Sequence, residues 1–295
     1  MRHKTGFPAL SGTISAINRV TAGGEQSVHA LSEVLLKDFA LTNKLLRLVN
    51  STGYGHFGGT ISTISRAVLI LGFDAVRDLA ITLVLFEHLH NKGQASKLRD
   101  DVIHALFTGI VARNLARGAG VRDAEEGFIC GVFRNLGRLL AGFYLYDESV
   151  EITRRMQQSN LSEESSAKAV LGASYSEIGM AVARNWNLPA GLVAAMRPLE
   201  ADERPERPDS PGERLRLVAA LAEAVSHASG CGTPGQRDQE LAAIVARFGE
   251  ALPLDETKLQ TLAAASVQEL LDDAASLLGD SRKSRFCQGL RQTAG

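Results

Sequence analysis

The sequence predicts an all-α protein, and three observations carry that prediction. Apolar side chains recur at three- and four-residue spacing in Leu41-Leu45-Leu48-Val49, Ile103-Phe107-Ile110-Val111 and Ile178-Ala181-Val182, the period of a helix with one buried face. Alanine and leucine, both good helix formers, are abundant. Strand-like alternation bounded by hairpin turns is absent.

Taken in order, Pro8 opens a first helix, about Ala9 to Thr21, and Gly23-Gly24 closes it. A second runs from about Ser27 to Phe39. Asp38-Phe39-Ala40-Leu41-Thr42 starts a third, which ends near Asn50. The apolar run Ala67 to Leu71 would pass for a strand in isolation. Ser62, Thr63 or Ser65 supplies an N-cap ahead of it and Gly72 a stop behind it, so it reads as helix. The polar break Asn91-Lys92-Gly93-Gln94 marks a subdomain boundary. Helices then follow from about Ser96 to Gly118, Asp123 to Gln158, Ser162 to Gly172 and Ser174 to Trp186. Asn187-Leu188-Pro189 is a tight corner with proline in the next helix's first turn, where its missing N–H costs nothing.

Residues 198–213 are rich in proline and charge and read as an exposed loop. Two more helical regions are expected at about 213–228 and 237–279, the second divided at Gly249 to Asp255. The tail bearing Arg282, Lys283, Arg285 and Arg291 reads as a solvated, mobile end. The division expected is therefore an N-terminal helical subdomain at 1–93, a helical core at 94–228, and C-terminal helices and tail at 229–295.

Bulk composition excludes several classes. A chain of 295 residues, 45% apolar and 22% charged, can bury a sizeable core without disulfides or metal. A net charge of −1 gives no nucleic-acid footprint and no general attraction to anionic membranes. Cys130, Cys231 and Cys287 are odd in number and far apart, which fits a reducing cytoplasm rather than a disulfide framework or zinc ribbon. The N-terminus is basic without an apolar stretch behind it, so no secretory signal is expected. No uninterrupted apolar run reaches the roughly 18 residues a membrane span needs. Together these predict a cytoplasmic protein.

Gly53-Tyr54-Gly55-His56-Phe57-Gly58 matches G-x-G-x-x-G literally. A phosphate-binding loop of that kind follows a strand, and here Ala40 to Asn50 reads as helix. The segment is better read as a glycine-rich corner, and Gly53, Tyr54, Gly55, His56 and Phe57 as a candidate partner-contact loop. No two histidines stand four residues apart, so there is no zinc-binding helix of the H-E-x-x-H type. His88 and His90 project about 200° apart on a helix and read as surface residues at a helix end. No G-x-S-x-G elbow is present. Cys130, within Phe128-Ile129-Cys130-Gly131-Val132, reads as core.

The informative stretch is Gly131-Val132-Phe133-Arg134-Asn135-Leu136-Gly137-Arg138-Leu139. It resembles the signature helix of the HD phosphohydrolase superfamily: glycine, two apolar residues, His-Asp, an apolar residue, glycine, lysine or arginine, leucine. The framework positions match. Arg134 stands at the histidine position and Asn135 at the aspartate position. Asp38 to Ser51, Ile61 to Gly72, Leu171-Gly172 with Glu177-Ile178-Gly179, and Trp186-Asn187-Leu188-Pro189 are similar to one branch, the HD-related output domain (HDOD) family, over about residues 7–228. The resemblance implies a multi-helix HD-like bundle from a bacterial signalling context, in a family to which no defined catalytic activity is generally attributed.

The same resemblance locates a degenerate pocket. His104 falls at the superfamily's first histidine ligand and Tyr175 where relatives often carry histidine. Pro198-Leu199 stand where a His-His pair is common, and Glu223 is aligned with the last aspartate ligand. Arg134 offers a cation no lone pair and repels it, and Asn135 is a weak ligand. No catalytic residue, metal or cofactor is therefore expected. Arg134 is expected either to pair with Glu223 as a staple between helices or to bind a small anion. The function expected is a non-catalytic output domain acting through a protein partner, downstream of a two-component or nucleotide-messenger system. The alternatives are a divergent metal-dependent phosphohydrolase or phosphodiesterase, and a sensor that binds a nucleotide without turnover.

Overall fold

The structure is a computed structural model describing residues 6–22, 28–36, 39–50, 61–92, 96–119, 121, 124–159, 161–200, 203–230, 233–278 and 284–293. Among the described residues there is no strand. The N-terminal part holds α1 (Gly6–Ala22), α2 (Val28–Leu36), α3 (Phe39–Val49), α4 (Ile64–Leu71) and α5 (Phe73–Lys92). Then follow α6 (Ser96–Gly118), α7 (Ala124–Arg134), α8 (Leu136–Tyr144), α9 (Tyr146–Ser159), α10 (Glu163–Leu171), α11 (Tyr175–Asn185) and α12 (Ala190–Ala195). The C-terminal part holds α13 (Pro211–Gly230), α14 (Pro234–Phe248), α15 (Glu256–Leu278) and α16 (Arg285–Thr293).

Caps explain several boundaries. Thr63 proves to be the N-cap of α4: its side chain accepts from the Arg66 N–H, and Gly72 at φ 88° ends the helix. Ser162 caps α10, and Ser174 with Glu177 forms a full capping box on α11. Pro189 stands at the N-cap of α12 rather than inside its first turn, and Asn187 adopts φ 56° in the corner before it.

Helix α6 is the central rod. It packs along α7, α13 and α15, with α8 and α16 also against it. The α6–α7 crossing is made of small residues. A Cβ on Gly131 would lie 2.6 Å from the Thr108 carbonyl oxygen and 2.9 Å from the Ala112 Cβ, so only glycine lets the two backbones approach this closely. Helix α8 crosses α11 tighter still: a Cβ on Gly137 would stand 1.9 Å from the Tyr175 carbonyl oxygen. These two glycines belong to the signature stretch, and their place in it is steric.

In the N-terminal part, α1, α3 and α4 pack on α5, and α5 reaches α7. The main apolar core runs from Leu10 to Leu290 and includes the wholly buried Trp186, and Ala141, Ile152, Ala167 and Tyr175 form a second, smaller cluster. The Trp186 indole N–H donates to Ser11, and the Asn18 amide donates to the Trp186 carbonyl, tying α1 to the corner before α12. Asn50 closes the N-terminal part in a similar way. Its amide donates to the Leu46 and Ile61 carbonyls, and its oxygen accepts from the Ile61 N–H at 2.7 Å. The candidate contact residues Gly53, Tyr54, Gly55, His56 and Phe57 lie outside the described residues.

Three sequence expectations need correction. The helix expected from Asp123 to Gln158 is three helices, broken at Asn135 and at Leu145, with α9 turned 116° from the α7–α8 run. The first break lets Gly137 dock on Tyr175, a tertiary demand that periodicity does not reveal. The tail expected to be mobile contains α16, whose Cys287 and Leu290 are fully buried and whose Phe286 ring packs on Phe107. Its basic residues hid a narrow apolar stripe. The 198–213 segment is mostly exposed but strapped down. Arg216 donates to Glu203 and the Pro198 carbonyl, Arg247 donates to the Glu200 and Glu203 carbonyls, and α13 begins at Pro211.

Candidate functional site

The break between α7 and α8 gathers the five residues singled out from the sequence. Arg134 ends α7, Asn135 is the break itself, and His104 faces them from α6. Glu223 approaches from α13 and Tyr175 from the start of α11. Arg134 is nearly buried, its side chain 7% exposed. Its guanidinium donates to the Glu223 carboxylate and to the carbonyls of Ala195 (3.4 Å) and Arg197 (3.1 Å). Burial alone would raise the Glu223 carboxyl, but Arg134, His227 and Arg138 outweigh it and hold the group below its ordinary range. This is the staple arrangement: one guanidinium ties α7, α12, the turn after it and α13.

Several neighbours of these residues escaped the sequence reading. Arg138, one turn into α8, pairs with Glu163 at 2.5 Å, stands 4.0 Å from Glu223 and contacts His227 Nε2 at 3.4 Å. Burial works against its charge, yet Glu163, Asp101 and Glu223 together raise its pKa. Asp101 sits one turn before His104 on α6, and burial pushes its carboxyl up to about 6. His227 stacks near His104 with ring centroids 4.7 Å apart, and Phe286 of α16 meets the His104 ring edge-on at 5.2 Å. Helical spacing was the signal that could have found two of these. Asp101 precedes His104 by three residues, and His227 follows Glu223 by four. Arg138 was visible as a framework position, and nothing local marked Glu163 or Phe286.

His104 is buried, and neither ring nitrogen makes a hydrogen bond of normal geometry. Burial, then His227 and Arg138, keep its pKa well below the ordinary value, so the ring is neutral. Asn135 turns its amide back to the Gly131 carbonyl at 3.3 Å and bears on the His104 ring. Burial, with Glu163 adding to it, pushes the Tyr175 hydroxyl up to about 12.

A divalent ion of the kind the superfamily binds does not fit these residues. The one carboxylate at an aligned ligand position is taken by Arg134, and a second guanidinium stands beside it. Among the described residues no three His, Cys, Asp or Glu side chains converge as a cation site. Elsewhere, a cavity of about 460 Å³ opens between α5, α7 and α12, lined by Asp74, Arg77, Asp78, Glu126 and Cys130. Cys130 is buried as expected, and burial first, then Glu126 and Asp78, push its thiol well up, away from thiolate chemistry.

The fold defines an all-helical bundle, with Arg134 and Asn135 at the break between α7 and α8. The chain belongs to the HDOD domain family, whose model matches residues 7–201. It is similar to a solved structure from Shewanella amazonensis SB2B named as a candidate phosphohydrolase, at 22% identity, covering 95% of this chain and 93% of that one with a TM-score of 0.63. A structure from Marinobacter aquaeolei VT8, named as a candidate signal transduction protein, is 20% identical, covers 90% of this chain and 58% of that one, and gives a TM-score of 0.56. An uncharacterised protein of Treponema pallidum (strain Nichols) is 24% identical over 222 residues, 73% of this chain but only 41% of that relative's length. No single helix among the described residues is long and apolar enough to cross a membrane.

Proposed function

We propose that this protein is a non-catalytic signal-output domain that works through contacts with a protein partner. One observation carries the reading: Arg134, which the signature resemblance aligns with a histidine ligand, holds the Glu223 carboxylate as its counter-ion. Hydrolysis of a phosphate ester on this fold needs a metal that acidifies water and polarises phosphate. A permanent guanidinium in the ligand shell opposes that ion by charge and removes a carboxylate from it. The surrounding framework, from Gly131 to Leu139, is kept, so the bundle remains a rigid surface. Membership of the output-domain family and the name of the Marinobacter neighbour favour signalling, whereas the name of the Shewanella neighbour favours the phosphohydrolase alternative.

The test is elemental analysis of the purified protein, together with hydrolysis of a generic phosphodiester in added manganese. The expected result is less than stoichiometric iron, manganese, zinc or nickel and no turnover above that of the Glu223→Gln variant. A stoichiometric metal with turnover abolished by Glu223→Gln would establish the phosphohydrolase reading instead. Crosslinking in cells of the source organism should capture a specific protein under a signalling stimulus.

A further inference from the structure

Helix α16 covers one flank of the polar cluster. Asp100, His104 and Phe107 follow one another at helical spacing and share a face of α6. His227 and Gly230 do the same on α13. Helix α16 lies against these two helices. Its Phe286 ring meets His104 edge-on at 5.2 Å and Phe107 at 5.7 Å. At Gly230 the groove is notched: a Cβ there would lie 2.5 Å from the Phe286 ring, so a side chain at that position would displace the ring. Ser284 adds a polar latch. It donates to Asp100 at 2.6 Å and accepts from the Cys287 N–H in the first turn of α16.

The grip is narrow. Ser284, Cys287 and Leu290 are buried, every third residue, while Arg285, Gln288 and Arg291 are exposed. A helix of nine residues is too short to hold itself together in water, so α16 owes its order to this one stripe. Helices α6 and α13 each pack on several neighbours. Elements near a chain end that bury few side chains open before the whole domain does.

We propose that α16 is a detachable lid, and that the α6–α13 groove beneath it is the surface on which the partner docks a helix of its own. The partner's helix carries an aromatic side chain for the Gly230 notch and an aliphatic one four residues on, the pattern of Phe286 and Leu290. Recognition of a helix in a groove reads spaced anchors of this kind. A tethered helix already seated there competes with an incoming one. Displacing α16 bares the His104 ring. His104 stacks near His227, and His227 contacts Arg138, so docking reaches the charged cluster. The proposal rests on the reading of this protein as one that works through a partner.

Two measurements on the full chain test it. The first is thiol labelling after Cys231→Ser, which leaves Cys287 under α16 and Cys130 in the core. Burial pushes both thiols up, so both react slowly while covered. Without denaturant, a maleimide should reach Cys287 at least about ten times faster than Cys130. Equal rates with the same urea dependence would mean that α16 leaves only on global unfolding, and the lid would be disproved. The second is NMR of histidine-labelled protein titrated with a synthetic peptide of residues 284–293 bearing Cys287→Ser. The His104 imidazole signal should shift in the Phe286→Ala, Leu290→Ala variant, whose own α16 no longer competes. Adding Gly230→Val should abolish that shift, and Leu290→Ala alone serves where the double variant does not fold. No shift at millimolar peptide would remove the groove as a docking surface. A wild-type dimer that the double variant loses would assign the groove to a second copy instead. Neither result touches the non-catalytic reading, which stands or falls on bound metal and turnover.

Discussion

Helix α7 has two neighbourhoods of opposite kind. Along its length it lies against α6 through Gly109, Gly127 and Gly131, a contact so close that an added methyl would strike backbone or side chain. At its C-terminal end it meets guanidiniums, carboxylates and a neutral histidine around the break at Asn135. The first neighbourhood is governed by volume and the second by pairing. Volume tolerates no exchange, because packed interiors have few voids to give. Pairing tolerates exchange when the charges stay balanced, which is how a nearly buried arginine can sit at the end of α7 without unfolding the bundle. The glycine framework and the polar cluster are therefore separable properties of one helix.

The sharpest way to break this contrast is at Gly137, where steric demand is greatest. Gly137→Ala should cost about 3 kcal/mol or more, since the added methyl meets the Tyr175 backbone carbonyl rather than a flexible side chain. A shift of the urea midpoint measures it, and a near-neutral result would show that the α8–α11 crossing can relax.

On the polar side, Glu223→Ala should cost about 2–3 kcal/mol, because Arg134 would stay nearly buried with only carbonyls for partners. The double change Arg134→Met with Glu223→Leu should recover most of that loss, since removing both charges avoids burying either one alone. Failure of the double variant to recover would mean that the pair contributes more than charge balance.

The smallest effect concerns pH. Asp101 has a folded pKa raised from 3.8 to about 6 by burial, so the folded state holds its proton more tightly than the unfolded chain does. Its contribution to stability is present in full below about pH 4 and is lost as pH rises through about 6. Asp101→Asn should remove that limb and leave the variant more stable than wild type at pH 7.5, by on the order of 2 kcal/mol at most. Urea midpoints measured between pH 4 and 8 check the sign; a variant less stable than wild type at pH 7.5 would contradict it.

Much of this was legible in the chain. Period, caps and stops located α4, α6, α10 and α11 to within a few residues, because each is a local property. The signature stretch singled out Arg134 and Asn135, and the resemblance singled out Glu223; Arg134 and Glu223, eighty-nine residues apart, pair in the structure. Arg138 was read only as framework, and Glu163 and Phe286 were not read at all. Their roles arise where α8, α10 and α16 converge, and no spacing within one helix records that convergence. The tail was misread because a nine-residue helix with one apolar stripe resembles a charged end until α6 and α13 are there to receive it.

The sequence by itself determined the helical class and most helix ends, because these follow from local dihedral preference and side-chain chemistry. Only the tertiary structure decided that Arg134 closes on Glu223, that α7 and α8 part at Asn135, and that His104 is buried beside His227 and Phe286. Each of those depends on which surfaces exclude water from one another, and that is settled by the packing of distant segments.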